Sequence, residues 1–104
     1  MAKFDFSVLY DQYPAIISLM PPVFDSHQFI LELARLNQAE YIRALCAYID
    51  SSHTEAPTPF QFVHRILSAK LREFPGLVEH VRTDKPSTDI FGKPNWCAEW
   101  RKVN

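Results

Sequence analysis

The amino-acid sequence predicts one mainly helical domain of the α+β class, in which three to five helices are followed by a C-terminal β-hairpin. Three features lead to this prediction. Apolar residues recur at helical spacing through most of the chain, helix-capping pairs occur at three places, and the C-terminal residues alternate in polarity. A chain of 104 residues, 47% of them hydrophobic, suffices for one core. We divide the single domain 1–104 into an N-terminal helical arm (1–22), a helical core (23–82) and the hairpin (83–104).

The helical arm is the first predicted element. Its apolar residues follow one another at intervals of three or four, which is the spacing of one helix face. Pro14 lacks an amide hydrogen and therefore predicts a kink or a restart, and Pro21–Pro22 end the element. The residues of this face are Phe6, Leu9, Tyr10, Tyr13, Ile17 and Met20.

Three later helix starts share one pattern, an N-cap residue followed three positions later by Glu or Gln. Each of the two side chains can then bond the backbone N–H of the other residue, and one cap is worth about 1 kcal/mol. The pairs are Asp25 with Gln28, Asn37 with Glu40, and Thr58 with Gln61; Phe24–Phe29 and Leu36–Tyr41 flank the first two, and Pro59 takes the first helical position of the third.

An apolar stripe follows each cap. The second of these helices is expected to stop near residues 50–52, before a polar loop over Ser51–Pro57, and Pro75–Gly76 interrupts the third. Because Cys46 lies on the second stripe, we expect its thiol to be buried in the core. The stripes are Phe29, Ile30, Leu33 and Leu36; then Tyr41, Ile42, Leu45, Cys46 and Ile49; then Phe62, Val63, Ile66, Leu67, Leu71 and Phe74.

The chain changes character after the third helix. Apolar positions in Leu77–Val81 predict one more short helical turn, and Thr83–Ser87 is typical of a linker. Ile90–Phe91 then predict a short strand, Gly92–Asn95 a turn, and Trp96–Val103 the returning strand of a hairpin.

The returning strand has two predicted faces. Trp96, Ala98 and Trp100 share the face that we expect to point into the core, and Cys97 lies on the opposite face. Asp89, before the turn, is expected to bond its own neighbouring backbone as a local cap.

The charge of the chain is almost balanced. Eleven Lys and Arg stand against twelve Asp and Glu, a formal net charge of −1, which excludes proteins that bind nucleic acid by bulk positive charge. Two glycines are too few for Gly-rich phosphate-binding loops. Residues 1–56 carry three basic and seven acidic side chains, whereas residues 57–104 carry eight basic and five acidic. Such a dipolar surface can orient an anionic partner or a second copy of the chain.

The candidate functional residues lie on the third capped helix. Opposite its apolar stripe, this helix has a polar face on one side of the cylinder. Arg and Gln side chains can bond phosphate oxygens and base edges, although any surface helix has a polar face. The candidate nucleic-acid-binding residues are Gln61, His64, Arg65, Ser68 and Arg72 on the helix, with Lys93 in the hairpin turn.

Three capped helices followed by a hairpin whose turn carries Lys93 resemble a winged helix-turn-helix domain. The resemblance implies that the third helix enters the major groove of DNA and that the hairpin turn touches the backbone. The long Ser51–Pro57 loop departs from the short turn of that motif. The C-terminal half also resembles a set of short bacterial proteins without an assigned activity, through Pro59-Phe60, Val63-His64, Asp89-Ile90-Phe91-Gly92 and Cys97-Ala98 with Trp100; this implies a cytoplasmic bacterial setting and nothing about mechanism.

Two functions from different classes stay open. One is a small non-catalytic module that binds nucleic acid through the third helix. The other is a protein–protein interaction module or homodimer, in which the acidic half of one copy meets the basic half of another, or the aromatic segment Phe4–Tyr13 docks on a neighbour.

The sequence predicts no enzyme, cofactor, metal site or membrane segment. Its four histidines form no pair with a cysteine or with each other at zinc-ligand spacing. Cys46 and Cys97 are too few for a disulfide framework. The longest weakly polar run, Pro14–Phe24, contains three prolines and is shorter than the roughly 20 residues of a membrane span. We therefore expect a cytoplasmic protein with no small-molecule substrate.

Overall fold

A computed structural model describes residues 4–49 and 59–103, and it confirms the α+β class with a C-terminal antiparallel hairpin. No helix in these residues is both long and apolar enough to cross a bilayer. The helices are α1 (Ser7–Tyr10), α2 (Tyr13–Leu19), α3 (Ser26–Leu36), α4 (Gln38–Ala47) and α5 (Pro59–Lys70), with a 3₁₀ turn at Leu71–Glu73; the strands are β1 (Val23–Asp25), β2 (Val78–Thr88) and β3 (Pro94–Lys102).

The sheet has β3 in its centre, between β1 and β2, and both pairings are antiparallel. Phe24 of β1 and His80 of β2 both lie opposite Trp100. The pairing of β2 with β3 shifts twice between His80 and Lys85. Such bulges bend a strand and increase its twist. The far half of the hairpin, which we define as residues 85–97, is therefore turned relative to the half that packs on the core.

The N-terminal residues form two short helices because the first ends before Pro14. Pro14 lies in the first turn of α2, where a missing N–H leaves no bond unmade, and this is the predicted restart. The hydroxyl of Tyr13 donates to the carbonyl of Leu67 at 2.6 Å. Burial raises the pKa of this hydroxyl above its usual range.

The predicted helical arm belongs to the core. Phe6, Leu9 and Tyr13 are buried, and the ring of Tyr13 meets that of Phe29 with centroids 4.6 Å apart. These side chains are therefore not available for docking on a neighbouring molecule, which the sequence had suggested for Phe4–Tyr13.

The first predicted cap is confirmed at α3. Asp25 accepts a hydrogen bond from the backbone N–H of Gln28 at 2.9 Å, and Gln28 accepts one from the backbone N–H of Asp25 at 2.8 Å. The rings of Phe24 and Phe29 lie 6.3 Å apart across this start. The stripe of α3 is buried except for Leu36, which is exposed at the end of the helix.

The second predicted cap is wrong. Asn37 makes no side-chain hydrogen bond to α4; its Nδ2 donates to the carbonyl of Leu33 at 3.1 Å and thus satisfies the end of α3. The third predicted cap, at Thr58, and the Ser51–Pro57 loop lie outside the described residues.

The buried face of α4 also differs from the predicted stripe. Tyr41, Ala44 and Tyr48 are buried, and the ring of Tyr48 packs against α5. Ile42 and Cys46 are exposed, so the expectation that Cys46 is a core residue is wrong. Aromatic rings bury more area than smaller apolar side chains, and here they decide which way the helix is rotated.

The stripe of α5 is confirmed. Val63 and Leu67 are buried, as is Leu71 in the 3₁₀ turn. Phe62 and Ile66 are half-buried at the edges of the same stripe. The polar face therefore lies on the predicted side of this helix.

The C-terminal hairpin is confirmed, but its first strand begins at Val78 rather than after residue 82. Leu77–Val81 do not form a helical turn, and Thr83–Ser87 is part of β2 rather than a linker. Ile90–Phe91 lie in the turn between the strands. The sequence does not predict the first half of β2, because the polar residues of this segment are typical of a linker. The segment forms a strand because it pairs with β3, a contact that is visible only in the fold.

The two predicted core tryptophans differ. Trp100 is buried and Trp96 is 65% exposed, so the expectation for Trp96 is wrong. The reason is that the hairpin extends beyond the helical core, and Trp96 lies in its far half.

Candidate functional site

A cleft of about 1,020 Å³ lies between α5, the first turn of α3 and the far half of the hairpin. Small-ligand pockets occupy roughly 300–1,000 Å³, so this cleft is at the upper end of that range. All six of the residues that the sequence singles out line it: Gln61, His64, Arg65, Ser68, Arg72 and Lys93. Residues from two separate elements thus meet at one place.

The cationic residues of the cleft come from both walls. Arg65 is exposed on α5, Arg72 is exposed on the 3₁₀ turn that follows this helix, and Lys93 is exposed at the end of the hairpin. The guanidinium of Arg72 lies over the ring of Trp100, 5.9 Å from its centroid, in a cation–π contact. Arginine in such a position keeps its hydrogen-bond donors available to an oxyanion.

The turn that carries Lys93 is held by Asp89. Its Oδ1 accepts from the backbone N–H of Phe91 at 2.9 Å and of Lys93 at 3.0 Å, which confirms the predicted local cap. The bond from the Lys93 backbone lowers the pKa of the Asp89 carboxyl. Gly92 has a φ of 86°, a backbone conformation that favours glycine.

His64 is placed differently from the prediction that it contacts a partner through an open helix face. It is half-buried, and it shares a hydrogen bond with the hydroxyl of Tyr41. Burial lowers the pKa of His64 to about 4 and raises that of Tyr41 to about 12. The hydroxyl is therefore the donor and Nε2 the acceptor, and the imidazole is neutral at pH 7. His64 is therefore part of the wall of the cleft but adds no positive charge to it at pH 7.

Ser68 is also occupied within the protein. Its hydroxyl shares a hydrogen bond with that of Ser26 at 2.7 Å, and Ser26 accepts from Nε1 of Trp100 at 2.9 Å. This chain joins α5, α3 and β3 at the base of the cleft. Ser68 thus fixes the walls relative to each other.

Aromatic residues of the cleft are what the sequence reasoning missed. Phe60, Phe91 and Trp96 all line it, and Phe91 is 57% exposed. The rings of Phe60 and Phe91 meet edge to face at 4.6 Å, so the end of the hairpin touches the first turn of α5. One feature of the sequence could have indicated this: Phe91 directly precedes Gly92 of the turn, and an aromatic side chain at such a position is rarely buried in a core.

A buried carboxylate fixes the far half of the hairpin. Oδ2 of Asp25 accepts from Ser87 at 2.8 Å and from Lys85 at 3.1 Å, while Oδ1 caps α3. Burial alone would raise the pKa of Asp25, but the hydrogen bonds from Gln28, Ser87 and Lys85 outweigh it and the pKa is lowered. Asp25 therefore joins β2 to the N-terminus of α3.

Asp25, His27 and Cys97 bring three possible metal-ligand atoms within 4.8 Å of one another. These donor types suit zinc. However, the ammonium of Lys85 already lies against Asp25 at 3.1 Å, and burial raises the pKa of Cys97, which favours the thiol over the thiolate that a metal requires. The cluster fits an internal ion pair better than a cation site, and the absence of a metal stays a prediction.

Comparison of this chain with family models, with curated proteins and with solved structures gives no match. Its function is therefore argued from the geometry and chemistry of the cleft.

Proposed function

We propose that this protein is a small binding module that holds nucleic acid in the cleft between α5 and the hairpin. The observation that carries the proposal is the convergence of Arg65, Arg72 and Lys93 on a cleft lined with aromatic rings. Cations that meet phosphates, beside rings that meet bases, are the combination that nucleic-acid-binding surfaces use.

The pairing of charges supports this choice of site. Among the described residues, no ion pair involves Arg72 or Lys93. Six described cations outside the cleft pair with carboxylates: Arg35 with Glu32, Arg43 with Glu40, Lys70 with Glu73, Arg82 with Glu99, Lys85 with Asp25, and Arg101 with Glu79. Lys102 donates to the backbone carbonyl of Met20 instead. The cleft lining thus has three cations, Arg65, Arg72 and Lys93, against one carboxylate, Asp89, and this excess of positive charge can attract an anionic partner.

The resemblance to winged helix-turn-helix domains supports the class of function at the level of architecture. In that comparison the turn with Lys93 takes the position of the wing, which touches the nucleic-acid backbone, and the proposal does not require α5 to enter a groove. Because one fold hosts many functions, the residues of the cleft carry the argument and the architecture adds to it.

The test measures binding of fluorescently labelled nucleic acid, single- and double-stranded, by anisotropy as salt is raised. Three phosphate contacts predict a slope of log affinity against log salt of about −2 to −3. The double variant R65A/R72A should weaken binding at least about tenfold and flatten the slope by about 1 to 2. R35A/R43A removes the same charge from α3 and α4 and is the matched control.

Equal weakening by R35A/R43A would contradict the cleft as the site, because bulk charge would then explain binding. No binding of any nucleic acid at low salt would remove the proposal.

A second candidate function is self-association through α4. Ile42 and Cys46 are exposed four residues apart on one face of α4, and Ile49 is exposed in the turn just after this helix. A second copy of the chain, with the same face opposed across a two-fold axis, would bury this stripe. Light scattering on the samples of the binding test separates the candidates, since a dimer that binds no nucleic acid favours this one.

A further inference from the structure

The end of the hairpin obstructs one side of α5. Phe91 touches Phe60 in the first turn of the helix, with ring centroids 4.6 Å apart, and it stacks near His64 at 6.5 Å. The candidate residues of α5 therefore face the far half of the hairpin across the cleft. This differs from a helix whose polar face is open to solvent on both sides.

The obstruction matters for a duplex partner. An α-helix with its side chains is about 10–12 Å across, and the major groove of DNA is about 12 Å wide, so a helix fills the groove by itself. Recognition helices contact base edges through their N-terminal residues. In this protein the tip of the hairpin contacts Phe60 at that end of α5, so the helix would have to enter the groove together with the hairpin tip.

Exposed aromatic rings also favour a single strand. Trp96 is 65% exposed and Phe91 is 57% exposed, and both line the cleft. In a duplex the flat faces of the bases are stacked on each other, whereas an unpaired base offers its face to a ring. These rings therefore discriminate in favour of unpaired bases, independently of the width argument.

We propose that the cleft takes a single strand of nucleic acid, with bases stacked on Trp96 and Phe91 and phosphates against Arg65, Arg72 and Lys93, and that it excludes a duplex. This inference rests on the proposed nucleic-acid-binding function and specifies the substrate class of the same site. DNA and RNA strands share the chemistry involved, and the experiment treats them as separate arms.

The experiment compares three probes on the full chain: a mixed-sequence DNA strand of about 12 nucleotides, the same strand annealed to its complement, and the RNA strand of that sequence. Anisotropy reports affinity, and quenching of tryptophan fluorescence reports stacking. We expect at least one single strand to bind about tenfold or more tightly than the duplex. W96A should weaken that binding roughly tenfold, and W96F should restore most of it.

L19A is the matched control, because Leu19 is an exposed apolar residue of α2 that does not line the cleft. Circular dichroism establishes that W96A is folded. Equal or tighter binding of the duplex, or unchanged affinity in W96A, would overturn the single-strand inference while the proposed function stands. Failure of all three probes to bind at low salt would overturn both.

Discussion

The two tryptophans of β3 lie four residues apart and have opposite environments. Trp100 is 1% exposed and packs opposite Phe24 and His80, whereas Trp96 is 65% exposed in the cleft. Both lie on a continuous strand with the same alternation of side chains. The two positions differ in what packs against the strand. The helices pack against β3 at Trp100, whereas at Trp96 the hairpin extends beyond the helices. Alternation identifies a face, and the neighbouring layer decides whether that face is buried.

The two ends of the hairpin are also held by different forces. The near end is fixed by apolar burial of Val78 and Trp100 in the core. The far end is fixed by the bonds of Lys85 and Ser87 to Asp25 and by the contact of Phe91 with α5. A binding surface built on the far end can keep its apolar rings in solvent because stability comes from elsewhere.

The largest expected effect tests the near end. Trp100→Ala removes a buried ring and leaves Ser26 without its donor, so the free energy of unfolding should fall by about 3–5 kcal/mol. Trp96→Ala, the same change at the far end, should alter it by less than about 0.5 kcal/mol. Urea unfolding followed by circular dichroism measures both.

If Trp100→Ala fails to fold, Trp100→Phe keeps a ring and loses only part of the packing and the Nε1–H bond, at a cost of about 1–3 kcal/mol. Similar losses in the two alanine variants would contradict the contrast between the ends of the strand.

The next effect tests what holds the far end. Asp25→Ala removes the cap of α3 and the partner of Lys85, which is 30% exposed. After allowing for solvent screening, we expect a loss of about 2 kcal/mol and faster hydrogen exchange in residues 85–88. Because the pKa of Asp25 is lowered on folding, its contribution should be present at neutral pH and disappear as acid protonates the folded carboxylate.

Asp84→Ala is the matched control, because Asp84 is an exposed carboxylate of β2, the strand that carries Lys85 and Ser87. An equal loss of stability in Asp84→Ala would mean that general charge, rather than the Asp25 bonds, holds the far half.

An effect no larger than this one reports the burial of His64 between Tyr41 and the hairpin tip. Burial lowers the pKa of His64 from 6.5 to about 4, so the unfolded chain takes up a proton between these pH values that the folded chain does not. Stability from this group is therefore complete above pH 6.5 and falls as the pH is lowered towards 4, by roughly 2 kcal/mol after allowing for partial exposure. NMR titration of the ring measures the pKa directly.

His64→Gln keeps an acceptor for Tyr41 and does not titrate, so its unfolding free energy should decline less steeply with acid. A His64 pKa near 6.5 in the folded protein would mean that the imidazole is not buried between Tyr41 and the hairpin tip.

Local signals explain which parts of the fold the sequence predicts. The capping box at Asp25 is visible because both of its members lie within one turn. The same reasoning fails at Asn37, where the competing partner is a carbonyl of the preceding helix. It fails for Cys46 because Tyr48 packs against α5 and rotates α4, and that contact joins residues far apart in the chain.

The candidate site follows the same division. Helical spacing places Arg65 and Arg72 on one face, and the turn places Lys93 beyond the hairpin strands. The spacing of residues along one helix does not tell how far α5 lies from the hairpin. It therefore could not predict that Trp96 lines the cleft or that His64 bonds the buried hydroxyl of Tyr41. The network of Asp25 was hidden for the same reason, since Lys85 lies 60 positions away in the sequence.

The two shifts in strand pairing between His80 and Lys85 each give β2 one residue more than β3. Side chains alternate along a strand, so deleting one residue from 81–84 would reverse the orientation of every position up to the turn relative to β3. Lys85 and Ser87 would then point away from Asp25, and the hairpin tip would lose its contact with α5. The length of β2 therefore sets where the hairpin tip lies relative to α5, and an insertion or deletion of one residue would change the width of the cleft.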